Sequence, residues 1–306
     1  MPDASREPRR RGLRWVSLTY LVALGVALGT GWLTRDHHPL AVIAAADLAA
    51  TLAVFAFGRG FRNSSFYDPY WSVAPVPIAL YLALGPGLGE ALPARQVLGV
   101  GLVGLWAVRL THNWARGWKG LHHEDWRYVQ LKAPGGLRAL AVDLFGIHLF
   151  PTVMVYLGCL PLWASLAAGS APLSALDALA ATVTGAGVAL ELFADNQLRR
   201  FRLAHPAADA ICDRGLWAWS RHPNYLGELL FWWGLALLGL AAAPAAWWMG
   251  LGAVLMTAMF LFVSLPLLET RMATRRPGWA AHCRKVPRLL PRPWRPPERS
   301  GVAPAG

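Results

Sequence analysis

The chain is predicted to be an all-α, polytopic bundle of about eight transmembrane helices, with seven as the alternative count and both termini cytoplasmic. Three observations predict it. The composition is 55 % hydrophobic and only 15 % charged over 306 residues, where a soluble domain draws about a quarter of its residues from Asp, Glu, Lys and Arg. Apolar stretches of spanning or near-spanning length recur along the middle of the chain. Basic residues then fall in alternate connections: segments 1–14, 58–70, 115–138, 194–224 and 269–306 hold 5, 2, 5, 5 and 9 of the 29 Lys and Arg residues. That alternation is what the positive-inside rule expects of an even number of crossings.

Taken in order, residues 1–14 form a basic cytoplasmic N-terminus, 15–268 a transmembrane helical domain and 269–306 a basic, Pro-rich cytoplasmic tail. The spans are expected at 15–33, 39–57, 71–84, 97–114, 139–166, 176–193, 225–240 and 244–268. The first follows Arg9, Arg10, Arg11 and Arg14, is long and has no small-residue cleavage site, so it reads as a retained span. The third is short and carries Pro75 and Pro77, as a re-entrant or tilted segment would, with Asp68 as a candidate cap. Arg35 and Arg95 are expected in connecting loops and Arg109 inside the fourth span. Gly25, Gly29, Gly31, Gly101 and Gly104 read as close-packing points.

Other classes are excluded on the same grounds. The net charge of +12 lies between apolar stretches rather than on a folded basic face, which argues against nucleic acid and for anionic headgroups at the cytoplasmic face. Cys159, Cys212 and Cys283 are isolated, so no disulfide framework is indicated. His122-His123-Glu124 lacks a second ligand pair at metal spacing, and neither a dinucleotide-binding nor a phosphate-loop glycine motif is present.

The candidate chemistry lies in the inner segments. Ser220 to Glu228 enters an apolar run, with Pro223 suited to a first helical turn and Asn224 and Glu228 four apart on one face. Glu191, Asp195, Arg199 and Arg202 recur at steps of four, four and three, a stripe from carboxylates to arginines beside Gln197. Guanidinium forks suit phosphates, and carboxylates suit ribose hydroxyls or an amide. Arg109, Asn113 and Arg116 share a face of the fourth span. Arg221 and His222 add cationic groups beside Asn224.

Asp68 to Ser72, Arg109 to Gly117, Glu124 to Tyr128, the Glu191/Asp195/Gln197 stripe and Ser220 to Glu228 together resemble the bacterial DUF1295 family of integral membrane proteins. That family is similar to the steroid 5-alpha-reductase C-terminal domain and the sterol reductases. The resemblance implies an inner-membrane enzyme of a bacterium that uses NADPH to reduce an activated carbon–carbon double bond in a lipid-like substrate, whether steroid, isoprenoid or acyl. It implies cofactor-binding roles for Glu191, Asp195, Arg199, Arg202, Asn224, Tyr225 and Glu228, and the residue pattern itself adds Arg109, Asn113, Arg116, Arg221 and His222 to that set. Asn224, Tyr225, Gly227 and Glu228 match the element expected near the nicotinamide. The catalytic set is Tyr225 as proton donor, Glu228 as the group orienting the nicotinamide amide or its ribose, and His282 as a second proton donor. Two other readings stand beside this one: an S-adenosylmethionine-dependent methyltransferase resembling the isoprenylcysteine carboxyl methyltransferases, and a non-enzymatic lipid-binding membrane protein.

Overall fold

A computed structural model describes residues 6–85, 88, 91–205, 207 and 209–291. Among these there is no strand, and most of them lie in helices. Pro293, Pro296 and Pro297 of the tail lie outside the described residues.

Helix α1 (Arg6–Leu33) leads to α2 (Pro39–Phe61), where His38 accepts the Leu40 N–H and Pro39 occupies the first turn. A 3₁₀ turn (Ser64–Phe66), α3 (Tyr70–Val73) and α4 (Pro75–Leu84) follow. At about 1.5 Å per residue α4 covers roughly half of an apolar bilayer core. The expected third span is therefore two short helices. Asp68 caps neither, since Pro69 precedes α3 without a side-chain hydrogen bond. Helix α5 (Pro93–Gly117) is long enough to cross, but Arg95, Arg109 and Arg116 make it less apolar. Asp125 caps α6 (Trp126–Leu131) by accepting the Arg127 N–H.

One continuous helix then runs Gly136–Ala168. It comprises α7 (Gly136–Ala141), a π-helical stretch (Val142–Leu149), α8 (Phe150–Trp163) and a second π turn (Ala164–Ala168). After it come α9 (Ala175–Ala204), a 3₁₀ turn (Gly215–Ala218) and α10 (Pro223–Ala242). The last long helix, Pro244–Arg275, contains a 3₁₀ stretch, α11 (Leu251–Met259), a π turn (Phe260–Ser264) and α12 (Leu265–Arg275), and α13 (Trp279–Lys285) ends the described chain. Among the described residues six helices are long and apolar enough to cross a membrane: Arg9–Leu33, Pro39–Phe61, Gly136–Ala168, Ala175–Ala204, Pro223–Ala242 and Pro244–Arg275. The chain is a multi-pass membrane protein.

The helices divide into two compact units, Met1–Ala181 with Leu235–Ala253, and Thr182–Gly234 with Val254–Gly306. The first has a core of Val16, Val54, Phe66, Tyr67 and Tyr70. Arg95 belongs to it, and lies in α5 rather than in a loop: it is fully buried against Asp177. In the second unit, Ala194, Cys212 and Trp217 pack with Leu198 and Phe201. The glycines expected to mark close packing do not do so. Gly25, Gly29, Gly101 and Gly104 have open space around them, and Gly31 has only an ordinary contact with Val42. Close approach falls instead at Gly239 against Pro161 in the first unit and at Gly187, Gly227 and Gly234 in the second.

Candidate functional site

In the second unit α9 and α10 touch backbone to backbone. A Cβ on Gly227 would stand 2.6 Å from both the Gly187 carbonyl and Glu191 Cγ. No side chain fits there, and this is the physical reason for glycine at both positions. The contact lays the buried Glu191 against the turn that opens α10. One turn nearer the helix end, Asn224 Nδ2 donates to Asp195 Oδ1 at 3.2 Å. Arg199 and Arg202 continue the stripe and are exposed. The spacing of the stripe and the first-turn role of Pro223 are thus as the sequence predicts.

The chain between α9 and α10 is stapled onto α9. Gln197 Oε1 accepts the Leu216 N–H at 2.9 Å, and Trp217 Nε1 donates to the Ala194 carbonyl at 2.9 Å. Gly215 makes this possible. Its φ is +57° and a Cβ would meet the Gln197 amide at 2.5 Å.

Glu228 accepts the Trp232 indole N–H at 2.9 Å, a contact along its own helix. The Tyr225 ring stands edge-on to His222 and to Phe260, at centroid distances of 5.9 and 5.0 Å. Arg221 and His222 meet at Glu269. Glu269 Oε1 accepts Arg221 Nε at 2.9 Å and lies 3.1 Å from His222 Nε2, while Arg288 Nε donates to Glu269 Oε2 at 3.0 Å. Arg221 Nη1 also donates to the Cys283 and Val286 carbonyls. Its donors are therefore spent on tying the segment after α12 back to the start of α10. His282 packs on Trp279 at 5.4 Å, and burial holds its imidazole below the ordinary histidine range.

Arg109, Asn113 and Arg116 belong to the first unit. Arg116 Nε and Nη2 both donate to Asn113 Oδ1, at 3.0 and 2.8 Å, and Arg109 is buried. The first unit also joins two segments that the sequence presents separately. Tyr128 donates to Asp68 Oδ1 at 2.7 Å, the Asp125 N–H donates to Ser65 Oγ at 2.9 Å, and the Ser64 N–H donates to Glu124 Oε1 at 2.6 Å. Burial pushes the Asp68 carboxyl up to about 7, against the smaller opposing effect of the Tyr128 hydrogen bond. Beside this knot lies a recess that includes Arg59, Arg62, Lys132 and Asp143. None of these four is a residue that sequence reasoning proposed for a site, and neither are Glu269 and Trp217. Arg59 and Arg62 entered it only as charges that set topology.

The chain is 29 % identical over 262 residues to an uncharacterized protein of Schizosaccharomyces pombe, an alignment covering 76 % of this chain and 73 % of the yeast protein. No solved structure matches. The family model described as a protein of unknown function, DUF1295, matches residues 54–286. That span takes in the Asp68–Tyr128 knot, the α9 stripe, the α10 turn and the Glu269 clamp, and the chain belongs to the DUF1295 family.

Proposed function

We propose that this protein is a membrane-embedded reductase that uses NADPH to reduce an activated carbon–carbon double bond in a lipid-like substrate, whether steroid, isoprenoid or acyl. The observation that supports it most is the α9–α10 pair. Its tight glycine contact fixes Glu191 and the Asp195–Asn224 hydrogen bond on one stripe, and the same stripe ends in exposed Arg199 and Arg202. A dinucleotide asks for that gradation: acceptors for ribose hydroxyls and an amide, and guanidinium forks for phosphates.

When bound, NADPH supplies the hydride. On this reading Arg199 and Arg202 hold phosphates, and Glu191, Asp195 and Asn224 hold hydroxyl and amide groups. Glu228 keeps the nicotinamide end in register, with Trp232 fixing one of its oxygens. Tyr225 Oη holds the proton that must accompany the hydride, with His282 as the second candidate. Arg221 and His222 position the α10 turn through Glu269 rather than binding the cofactor. The reading is confined to the second unit and leaves Arg109, Asn113 and Arg116 out of the cofactor set. The membrane that goes with it is the cytoplasmic membrane of a bacterium, although the chain also has a relative in yeast.

Calorimetric titration of NADPH into detergent-solubilised protein tests the cofactor. Arg202→Ala should weaken binding by about 1.5–3 kcal/mol, the worth of one charge-assisted contact. Unchanged affinity would return the arginine to headgroups. Binding of S-adenosylmethionine in place of NADPH would select the methyltransferase reading, and binding of neither the lipid-binding one. Tyr225→Phe should keep NADPH affinity and lose NADPH oxidation in the presence of a lipid extract that supports wild-type turnover.

A further inference from the structure

The recess in the first unit has a volume of about 370 Å³, and its walls include Gly58, Arg59, Arg62, Ser64, Lys132 and Asp143. Arg59 and Arg62 are exposed at the end of α2, and Lys132 is partly buried. Lys132 Nζ donates to Glu124 Oε1 at 2.6 Å and to Ser64 Oγ at 2.8 Å, and Arg59 lies at a loose 3.9 Å from Asp143. Arg62 forms no ion pair among the described residues. It also sits at φ 53°, ψ 38°, the left-handed position after a helix that glycine or asparagine normally takes.

Beneath this rim His148 is fully buried between the rings of Phe55 and Tyr67. Its Nδ1 lies 2.8 Å from the Asp143 carbonyl oxygen. A carbonyl can only accept, so Nδ1 carries the hydrogen and Nε2 of the neutral ring presents a lone pair. That Nε2 is buried and has no hydrogen-bond partner. It stands 3.8 Å from where a Cβ on Gly58 would be, and it is Gly58, not His148, that lines the recess.

We propose that this recess binds a phosphoryl anion, with Arg59, Arg62 and Lys132 on its oxygens. Two guanidinium groups and an ammonium suit a tetrahedral dianion with several acceptor oxygens. The proposal does not depend on the NADPH reading. The source of the phosphoryl group is either a soluble phosphorylated compound or the headgroup of an anionic lipid.

The full chain in phosphatidylcholine nanodiscs is titrated with inorganic phosphate, and a parallel sample doped with phosphatidic acid is examined by native mass spectrometry for retained lipid. Arg62→Gly removes the charge and relieves the left-handed strain, so its thermal midpoint should not fall. Arg59→Gln is measured beside it as a variant with ordinary helical backbone. Saturable phosphate binding that weakens about tenfold or more in either variant supports the proposal with a soluble source. Retention of phosphatidic acid by wild type alone, without phosphate binding, supports it with a lipid source. Binding of neither probe, or binding equal in wild type and both variants, overturns it.

Discussion

Arg95 and Arg62 lie in the same unit and carry the same guanidinium, yet their surroundings differ in everything that sets what a charge can do. Arg95 is fully buried, and it forks onto Asp177 with Nε and Nη2 at 2.7 and 3.0 Å. Its remaining reach goes to the Ala171 and Pro172 carbonyls, at 2.9 and 3.3 Å. Four of its five N–H groups are engaged, and the side chain has no exposed surface to offer a ligand. Arg62 is exposed, rimmed by two other cations, and held in an unfavourable backbone conformation. The contrast teaches that saturation of donors, and not depth or charge alone, separates an arginine that holds a fold from one available to bind.

The largest effect expected is at the saturated end. Arg95→Met strands the Asp177 carboxylate in a buried place and should cost about 3–5 kcal/mol. Adding Asp177→Leu should recover most of that loss, because no unpaired charge remains. Thermal unfolding of the two variants in detergent checks it; equal losses in single and double variants would break the distinction drawn above.

A titration sharpens the comparison next. The Asp68 carboxyl is raised from 3.8 to about 7 by burial, so protonation favours the folded form. Its contribution is fully present below pH 4 and is lost as pH rises through 7, with a ceiling of roughly 4 kcal/mol for a shift of about three units. Asp68→Asn should flatten this part of the stability profile, as read from unfolding midpoints across the window. A smaller loss, about 2–3 kcal/mol, is expected for Glu269→Gln, which weakens the hold on Arg221, His222 and Arg288 together. It should lower the midpoint far more than Arg202→Ala does. At the open end, Arg62→Gly should gain about 1 kcal/mol in the same unfolding assay by freeing a left-handed position from its side chain.

Much of the fold is legible in the sequence because apolar length and basic alternation are local signals. The long runs from Trp15, Pro39, Leu176 and Tyr225 all lie in helices of spanning length, and Pro223 opens α10 as its fixed φ requires. The run from Trp71, whose length and Pro75 and Pro77 read as a re-entrant or tilted segment, forms two short helices that part just before Pro75. Arg95 misleads for a tertiary reason. Its partner is 82 residues away, and a lone arginine after a proline looks like a loop until Asp177 is brought to it. For the candidate site, the α9 stripe and the α10 turn are readable because helical periodicity carries them. Arg221 and His222 look like ligands beside Asn224, and only the return of the chain to Glu269 reveals the clamp. His148 gives no signal: one histidine in an apolar run acquires meaning from Gly58, which lies on another helix.

The wide turn over Val142–Leu149 has a consequence for how this helix tolerates changes of length. On an ideal α-helix, residues five apart point about 140° away from each other, at roughly 100° per residue. Asp143 and His148 are five apart, yet the imidazole reaches the Asp143 carbonyl oxygen and stands 3.4 Å from its carboxylate. The π winding absorbs an extra residue and so brings both groups to one side of the helix. Removing a single residue from Leu144 to Ile147 would let the helix relax into regular α geometry while the segment beyond it keeps nearly its present register. The Thr152 hydroxyl would then stay with Tyr67 and Thr51. A one-residue deletion should thus be tolerated better here than in the regular α-helix that follows, where each lost residue turns the rest by about 100°.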